Sequence, residues 1–189
     1  MGYTQNLRDN LLIAMPSMAD PNFFRSVTYL CDHNTEGAMG IMINRPLDIS
    51  LSDIALQIGH SPESVNSFCE GIPIYDGGPV SNDRGYILHT PYGEWQSTLK
   101  VSNTVSLTTS QDILDAIING DTPDKFIIAL GYAGWGEGQL EHEIAENAWL
   151  SGPSNNTILF DSPVTERWSS SAHLLGFDMI NLSNDIGHA

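Results

Sequence analysis

The sequence predicts an α+β protein with a single core, and three observations support this class. Apolar runs with strand character are mixed with segments of helical spacing, and they do not follow the strict strand-helix-strand order of a parallel α/β sheet. The chain has 189 residues, the usual size of one domain, and 41% of them are hydrophobic. Neither a sequence repeat nor a long linker divides it. We therefore expect one domain over residues 1–189.

The first third of the chain predicts three strands and a helix. Residues 11–15 form an uninterrupted apolar run, which is typical of a strand buried on both faces. Residues 26–33 and 37–44 flank the turn-forming segment NTEG and predict a hairpin. Residues 50–59 carry apolar side chains at helical spacing between an initial Ser and a final Gly, which predicts a helix.

The middle third begins with a long irregular segment. Residues 60–85 are rich in Gly, Pro, Ser and Asn, and loops of this length often carry function. Residues 86–90 then predict a strand. Residues 97–101 and 104–109 alternate polar and apolar side chains, as half-buried strands do, and residues 110–120 predict a helix with one apolar face.

The last third predicts two strands and two helices. The apolar residues 125–130 predict a strand, and the glycine-rich residues 131–138 predict a turn that leads into a helix. Residues 157–161, TILFD, have the character of a second strand. Residues 162–176 have helical spacing, begin with Ser and Pro, and end with Gly, so they predict the closing helix.

The glycine-rich turn has the outline of a dinucleotide-binding loop, but its details argue against one. Its spacing is G-x-x-G-x-G-x-G, and Trp135 stands where the backbone must approach a pyrophosphate. Glu137, Glu141 and Glu143 would repel a phosphate bound at the start of the helix. We therefore predict a packing role for this stretch, with Trp135 and Trp149 in the core, and no cofactor.

The charge balance disfavours whole classes of partner. The chain carries 23 acidic and 7 basic residues, a formal net charge of -16, so its field repels phosphate backbones and anionic lipids. The basic residues are scattered singly along the sequence, although a folded chain can still gather several of them. Direct nucleic-acid binding is therefore disfavoured.

The sequence also contains no membrane or export signal. Uninterrupted apolar runs such as LLIAM are five residues long, whereas a membrane-spanning helix needs about 20. The two cysteines are too few for disulfide bonds to stabilise a domain of this size. The first residues lack the basic segment followed by an apolar one that is typical of an export signal. We expect a cytoplasmic protein with reduced thiols and no membrane contact.

No complete catalytic or metal-binding motif is present. In the segment HEIAE, Glu146 occupies the place of the second histidine of a zinc-protease motif, so we predict no metal site. Cys31 lies in an apolar strand, and Cys69 stands next to the acidic Glu70, a setting that disfavours a reactive thiolate. We therefore predict no catalytic residue.

Polar side chains nevertheless converge in two loop regions, before and within the first hairpin and ahead of the strand at residues 86–90. Arginine offers a planar fork of hydrogen-bond donors, and histidine offers a donor that protonation can switch. These residue types therefore suit a small acidic or polar ligand. The candidate ligand-binding residues are Arg25, His33, Asn44, Arg45, Gly77, Gly78 and His89. The simpler alternative, that these residues anchor the loops by hydrogen bonds, stays open.

Several long segments resemble one known family. They include LLIAMPSMADPNFFRSVTYLCDHNTEGAMGIMINRPL, GGPVSNDRGYILH and LGYAGWGEGQLEHEIAENAWL, in that order. From about Asn6 to Ile180 the chain resembles the YqgE/AlgH family of bacterial proteins. The resemblance implies a compact α+β fold whose bifurcated mixed sheet closes in part into a small barrel surrounded by helices. It implies no established activity, and the family's label of transcriptional regulator comes from a member linked to alginate production.

Three functional hypotheses follow. The first is a cytoplasmic binding or regulatory protein without enzymatic activity, which acts through an unknown protein partner or a small ligand. The second is an enzyme, such as a hydrolase, in which His33 or His89 acts as general base beside Asp20, Asp32 or Asp76. The third is direct DNA binding, which the regulator label suggests and the net charge disfavours.

Overall fold

The chain is built from short strands and short helices. The computed structural model describes residues 5–179 and 181. The strands are β1 (Asn10–Ala14), β2 (Val27–Asn34), β3 (Gly37–Met42), β4 (Pro46–Ser50), β5 (Pro73–Asp76), β6 (Val80–His89), β7 (Thr98–Lys100), β8 (Ser106–Thr108), β9 (Phe126–Gly136) and β10 (Trp149–Pro153). The α-helices are α1 (Leu51–Gln57), α2 (Ser67–Glu70), α3 (Gln111–Ile118), α4 (Gln139–Ala145) and α5 (Arg167–Leu174), with a π-helical turn at Thr157–Asp161 and a 3₁₀ turn at Val164–Glu166. None of the helices in this described part is long and apolar enough to cross a bilayer.

A single sheet organises these elements around β9. Its main path runs β10-β1-β2-β3-β9-β6-β8-β7, and neighbouring strands on this path are antiparallel. Strand β5 runs parallel to Ile128–Leu130 of β9, and β3 pairs with Ala133–Gly136 farther along the same edge. The sheet therefore forks at β9, and β4 extends the branch that β5 begins. This mixed, bifurcated and curled sheet confirms the predicted α+β architecture.

Three hydrophobic clusters hold the helices against the sheet. The largest lies between the segment formed by the π-helical turn and α5 and strands β1, β2, β3, β5, β6, β8 and β9. The second packs α1 and α3 against β5, β6 and β9. The third gathers Leu140 of α4 with Trp135 and Trp149, whose exposed fractions are 5% and 2%. The prediction that both tryptophans fill core space is confirmed.

Most of the predicted elements with clear periodicity are present. Strand β3, the β7–β8 pair, α1 and α3 fall within their predicted ranges, and β1 and β2 each extend one residue beyond theirs. In α3, the apolar face of Ile113, Leu114, Ile117 and Ile118 is buried. The helix is followed by Gly120 in the left-handed conformation, with a φ of 88°. A strong amphipathic pattern was sufficient to predict these elements because burial of one face decides their structure.

The glycine-rich stretch is not a turn, so that prediction is wrong. Residues 131–136 continue β9, and residues 133–136 pair with β3. Glycine suits this half of the strand because neighbouring groups restrict the space: a Cβ atom on Gly134 would lie 3.2 Å from the ring of Tyr132. The turn itself is reduced to Glu137 and Gly138.

Residues 157–161 were predicted as a strand and form the π-helical turn instead. The side-chain oxygen of Asn155 accepts hydrogen bonds from the backbone N–H groups of Thr157 and Ile158, at 2.9 and 3.2 Å, and so starts the turn. The N–H of Ser162 then donates to the carbonyl of Thr157 at 2.8 Å. The prediction failed because three consecutive apolar residues do not distinguish a strand from a short buried helical segment.

Three short strands had no counterpart in the sequence prediction. The segment 60–85, predicted as an irregular loop, contains α2, β5 and the beginning of β6. Strands β4 and β10 were not predicted either. β10 pairs along its whole length with β1, and β5 lies between β4 and β9. These strands owe their conformation to pairing with distant parts of the chain, and local propensity carries little information about such pairing.

Between β5 and β6 the chain crosses from one edge of β9 to the other, at Gly77 and Gly78. The N–H of Gly77 donates to the carbonyl of Leu130 at 2.8 Å. A Cβ atom on Gly77 would lie 2.2 Å from the carbonyl oxygen of Gly131, and one on Gly78 would lie 2.1 Å from the carbonyl carbon of Tyr132. No side chain fits between the two backbones. The structure thus places both glycines at a strand crossing.

We expect Gly77→Ala to lower the free energy of unfolding by about 2 kcal/mol or more, because its methyl group meets backbone rather than a movable side chain. Gly71→Ala is the matched control, since its Cβ atom would lie 3.6 Å from the carbonyl oxygen of Phe68, an ordinary contact. Its effect should stay within about 1 kcal/mol. Urea unfolding curves of both variants measure the difference. Equal unfolding free energies would contradict the tight crossing.

Candidate functional site

Three of the seven predicted ligand-binding residues meet in one surface groove. Arg25 precedes β2, Asn44 and Arg45 connect β3 to β4, and all three line a groove of about 420 Å³ against α5. We call it the Arg25 groove. Its lining consists of Phe24, Arg25, Asn44, Arg45, Val164, Thr165, Trp168 and Ser169. The groove therefore joins the loop before the first hairpin to the segment at the start of α5.

Asn44 holds the backbone on one side of the groove. Its side-chain oxygen accepts a hydrogen bond from the N–H of Val27, and its amide donates to the carbonyl of Arg25, both at 2.9 Å. These bonds fix Arg25 in the left-handed conformation, with a φ of 53°, which is uncommon for a residue with a side chain. Both polar ends of the Asn44 side chain thus have partners in the protein. Its role in the groove is to position Arg25.

Arg45 holds the loop that precedes Arg25. Its guanidinium donates hydrogen bonds to the carbonyls of Asn22 and Phe24, the latter at 3.1 Å. The loop is closed further by the Asp20 carboxylate, which accepts from the N–H of Asn22 at 2.9 Å. Asp20 is absent from the groove lining. Arg45 therefore contributes positive charge to the groove while two of its donors are occupied by the protein.

The Arg25 guanidinium is the free donor group of the groove. It lies over the indole ring of Trp168, 4.5 Å from the ring centroid, and Trp168 itself is almost buried. In the part of the chain that the structure describes, the Arg25 guanidinium has no hydrogen-bond acceptor and no ion-pair partner. None of the described residues that line the groove carries a carboxylate. Stacking on an aromatic ring fixes the plane of the guanidinium and leaves its donors available to a ligand.

His33 lies elsewhere, in the hairpin. Its Nδ1 accepts a hydrogen bond from the N–H of Leu7 at 2.9 Å, so Nε2 carries the proton and donates to the Glu141 carboxylate at 2.8 Å. The ring is buried, with an exposed fraction of 5%. Asp32, the predicted carboxylate partner, accepts from the backbone N–H of His33 instead. Both ring nitrogens are engaged, and the residue ties the N-terminal segment and the hairpin to α4.

His89 is also remote from the groove, at the end of β6. Its Nδ1 donates to the carbonyl of Thr90 and its Nε2 accepts from the hydroxyl of Thr108, both at 2.8 Å. Burial lowers the pKa of this imidazole below its ordinary value, and the hydrogen bond to the Thr90 carbonyl offsets only part of that effect. Neither Asp20 nor Asp76 contacts the ring. His89 is therefore a neutral, buried side chain with both nitrogens engaged.

Other chemistry-bearing groups are also held inside the protein. The thiols of Cys31 and Cys69 are both fully buried, and burial raises the pKa of the Cys31 thiol strongly. Within residues 5–179 and 181, no three side chains of His, Cys, Asp or Glu are grouped in a way that could hold a metal ion. An apolar cleft of about 350 Å³ between α1, α3 and β6 offers Ile54, Ile87 and Leu114, with Asp83 at its edge. That cleft contains none of the predicted residues.

Comparison with known proteins agrees with this architecture. The family model described as AlgH-like matches residues 11–180. The chain belongs to the AlgH-like family. A UPF0301 protein of Nitrosococcus oceani is 50% identical over 184 residues, with 96% of each chain covered, and one of Thioalkalivibrio sulfidiphilus is 48% identical over the full length of both chains.

Two solved structures share the fold. The solution structure of the AlgH protein from Pseudomonas aeruginosa has a TM-score of 0.80 and 46% identity, with 100% of this chain and 99% of that chain covered. A crystal structure of a Corynebacterium diphtheriae protein has a TM-score of 0.73 at 19% identity, covering 97% of this chain and 94% of that one, and supports the fold alone. For this AlgH-like chain the comparisons establish family and fold, and no specific activity comes with them.

Sequence reasoning missed two parts of the groove in this AlgH-like protein. Trp168 was predicted only as an apolar position of the last helix, and Phe24 was treated as part of a loop. Phe24 is 51% exposed, which is unusual for a phenylalanine. The sequence signal that could have found them is the adjacency of a large aromatic residue to a cation in both FFR and ERW. Only the fold shows that these two segments meet.

We expect His33→Ala to lower the free energy of unfolding by about 2 kcal/mol or more, because it leaves the buried N–H of Leu7 without an acceptor. His142→Ala is the matched control, since the His142 side chain is 72% exposed and its ion-pair partner Glu146, just after α4, is 65% exposed. Its effect should stay within about 0.5 kcal/mol. Denaturant unfolding at pH 7 measures both. A neutral His33→Ala variant would contradict the structural role of this ring.

The lowered pKa of His89 predicts how stability depends on pH. Because the folded protein disfavours the charged imidazole, the unfolded chain binds more protons below the ordinary histidine pKa of about 6.5. The contribution of His89 is therefore complete above this pH and is lost as the pH falls below it. We expect the unfolding free energy of the wild type to fall more steeply from pH 7 to pH 5 than that of His89→Gln. Parallel pH profiles would contradict the prediction.

Proposed function

We propose that this protein is a non-enzymatic, cytoplasmic binding protein that recognises an anionic group of a partner or small ligand through the Arg25 groove. The observation that carries the proposal is the free guanidinium of Arg25, stacked on Trp168 in a groove whose lining contains no carboxylate. Regulation would follow from occupancy of the groove by a partner rather than from chemistry at a catalytic centre. The fold resemblance to AlgH is compatible with such a role.

The geometry of Arg25 favours recognition of a carboxylate or a phosphate. A guanidinium presents its N–H donors as a planar fork, which matches the two oxygens of such groups in a bidentate contact. The stacking on Trp168 and the backbone anchor through Asn44 hold this fork before a ligand arrives. Less side-chain entropy is then lost on binding. Phe24, which is half-exposed in the same groove, offers apolar contact next to the anion.

The net charge limits the kind of anion that can bind. A chain with a formal net charge of -16 repels extended polyanions, because each of their many phosphates interacts with its net negative field. A ligand that presents a single anionic group meets Arg25 and Arg45 in the groove, and the net charge of the chain opposes it less than it opposes a polyanion. The proposal therefore favours an acidic side chain or a small acidic molecule over direct binding of DNA.

The enzymatic alternative has weaker support. A general base needs a nitrogen lone pair that can reach the substrate, and both nitrogens of His33 and of His89 are occupied by protein groups. A thiol nucleophile needs exposure and a thiolate, whereas Cys31 and Cys69 are buried. The groove itself is lined by no carboxylate and no histidine. Binding without turnover is the function that these contacts favour.

The test is to purify the wild type, Arg25→Gln and Arg84→Gln from the native cells under mild conditions and to identify bound molecules by mass spectrometry. Arg84 is the matched control because it is an exposed arginine outside the groove. We expect an acidic molecule or protein with the wild type and with Arg84→Gln. Its amount should drop about tenfold with Arg25→Gln, because a charged hydrogen-bonded contact contributes about 1.4 kcal/mol or more.

Two outcomes would overturn the proposal. In one, the same molecules accompany all three proteins in equal amounts, so that Arg25 has no part in binding. In the other, the molecule lost with Arg25→Gln carries no anionic group. The identity of the bound species also separates the two sources of anion, since a co-purified protein and a small acid are distinguished directly by their masses.

A further inference from the structure

A second cavity lies on the other side of the start of α5, outside the Arg25 groove. It is an open cavity of about 280 Å³, lined by β5, the first residues of β9, the π-helical turn and Arg167. Tyr75 and Phe160 supply aromatic walls, and Lys125 and Asp161 lie at its edge. The volume is near the lower end of the range of about 300–1,000 Å³ that is typical of small-molecule sites.

Arg167 is a buried cation without a counter-ion. Its exposed fraction is 3%. Its Nε donates to the carbonyl of Ser162 at 3.1 Å, its Nη1 donates to the carbonyl of Ile43, and its guanidinium lies 5.6 Å from the centre of the Tyr75 ring. No carboxylate among the described residues lies within ion-pair distance of it. Buried charges are normally paired, because an isolated one carries a large desolvation cost.

The carbonyl groups of Ser162 and Ile43 accept hydrogen bonds from only two of the three nitrogens of this guanidinium. Nη2 donates no hydrogen bond to an acceptor among the described residues. Because the Arg167 side chain lines the cavity, a ligand bound there can supply an acceptor for this donor. The site therefore combines a fixed positive charge, an unused donor and an apolar wall.

The other charges around the cavity are at its edge and largely screened by solvent. Lys125 forms an ion pair with Asp161, and both side chains are about half exposed. Asp124 is also exposed at the rim. The Lys125–Asp161 pair is neutral as a unit and the Asp124 carboxylate is exposed to solvent, so Arg167 is the buried charge of this lining, and no described carboxylate lies at ion-pair distance from it. An anion that enters the cavity would act as its counter-ion.

We propose that this cavity binds a small organic acid, with its carboxylate or phosphate head directed at Arg167 and its apolar body against Phe160. The head group neutralises the buried guanidinium and accepts from Nη2. Aromatic and aliphatic walls exclude water from the apolar part of the ligand. This site is separate from the Arg25 groove, and the proposal for it does not depend on the function proposed for that groove.

The first experiment uses the unmodified protein. Benzoate, phenyl phosphate and the neutral analogue benzamide are each titrated while the Nε–H resonance of Arg167 is followed by NMR. We expect benzoate or phenyl phosphate to shift this resonance with saturation, and benzamide to leave it unchanged. Absence of a saturable shift with either acid, or an equal shift with benzamide, would overturn the proposal.

Two substitutions at the rim, one that removes a positive charge and one that removes a negative charge, then test the site because they should change the Kd in opposite directions. Lys125→Gln should raise the Kd for the acid roughly threefold, the effect of an exposed charge contact. Asp161→Asn should lower the Kd by a similar factor, because it removes a negative charge from the entrance and frees Lys125 from its ion pair. Both substitutions are at exposed positions, so they leave the core intact.

Two control variants separate this site from general charge effects and from the Arg25 groove. Lys100→Gln removes an exposed lysine that is not part of the cavity lining, and Arg25→Gln removes the donor of the other site. Both should leave the Kd unchanged. If Lys100→Gln weakens binding as much as Lys125→Gln, the acid responds to net charge alone and the proposal is wrong. If Arg25→Gln abolishes the shift at Arg167, the acid binds in the groove and the cavity site is likewise rejected.

Discussion

Strand β9 can pair with three strands only because the chain crosses its face without side chains at Gly77 and Gly78. The crossing moves the backbone from the β5 edge of β9 to the β6 edge, and it leaves the second half of the first edge for β3. The N–H of Met42, the last residue of β3, donates to the carbonyl of Gly77 at 2.9 Å. The exit of β3 is thereby fixed, and with it the position of Asn44 and Arg45.

The start of α5 separates two arginines with different electrostatic settings. Trp168 donates from Nε1 to the carbonyl of Ala14 at 2.9 Å, which anchors its indole to β1. Arg25 stacks on the outer side of this ring and keeps its donors in solvent, where the desolvation cost is small. Arg167, one residue before the tryptophan, is buried and lacks a carboxylate among the described residues. The start of α5 thus supports exposed Arg25 through the anchored ring of Trp168 and holds Arg167 in the protein interior.

The two histidines show why residue type alone does not identify a functional site. Each has both ring nitrogens in hydrogen bonds, and in each case the partners come from separate segments of the chain. His33 connects Leu7 to Glu141, and His89 connects a loop carbonyl to the hydroxyl of Thr108. A buried polar group stabilises a fold only when its hydrogen bonds are complete, because an unsatisfied one carries the full desolvation cost. These rings satisfy that condition and so leave no donor or acceptor for a ligand.

The sequence by itself determined the α+β class, the amphipathic helices α1 and α3, the first hairpin and the burial of Trp135 and Trp149. These features depend on local periodicity and turn chemistry, which a single chain displays directly. The tertiary structure alone decided that β9 continues through the glycine-rich stretch, that residues 157–161 are helical, and that Arg25 reaches Trp168. Each of these depends on contacts between segments that are distant in the sequence. Local composition cannot reveal them, because backbone pairing and burial of a charge are properties of the assembled core.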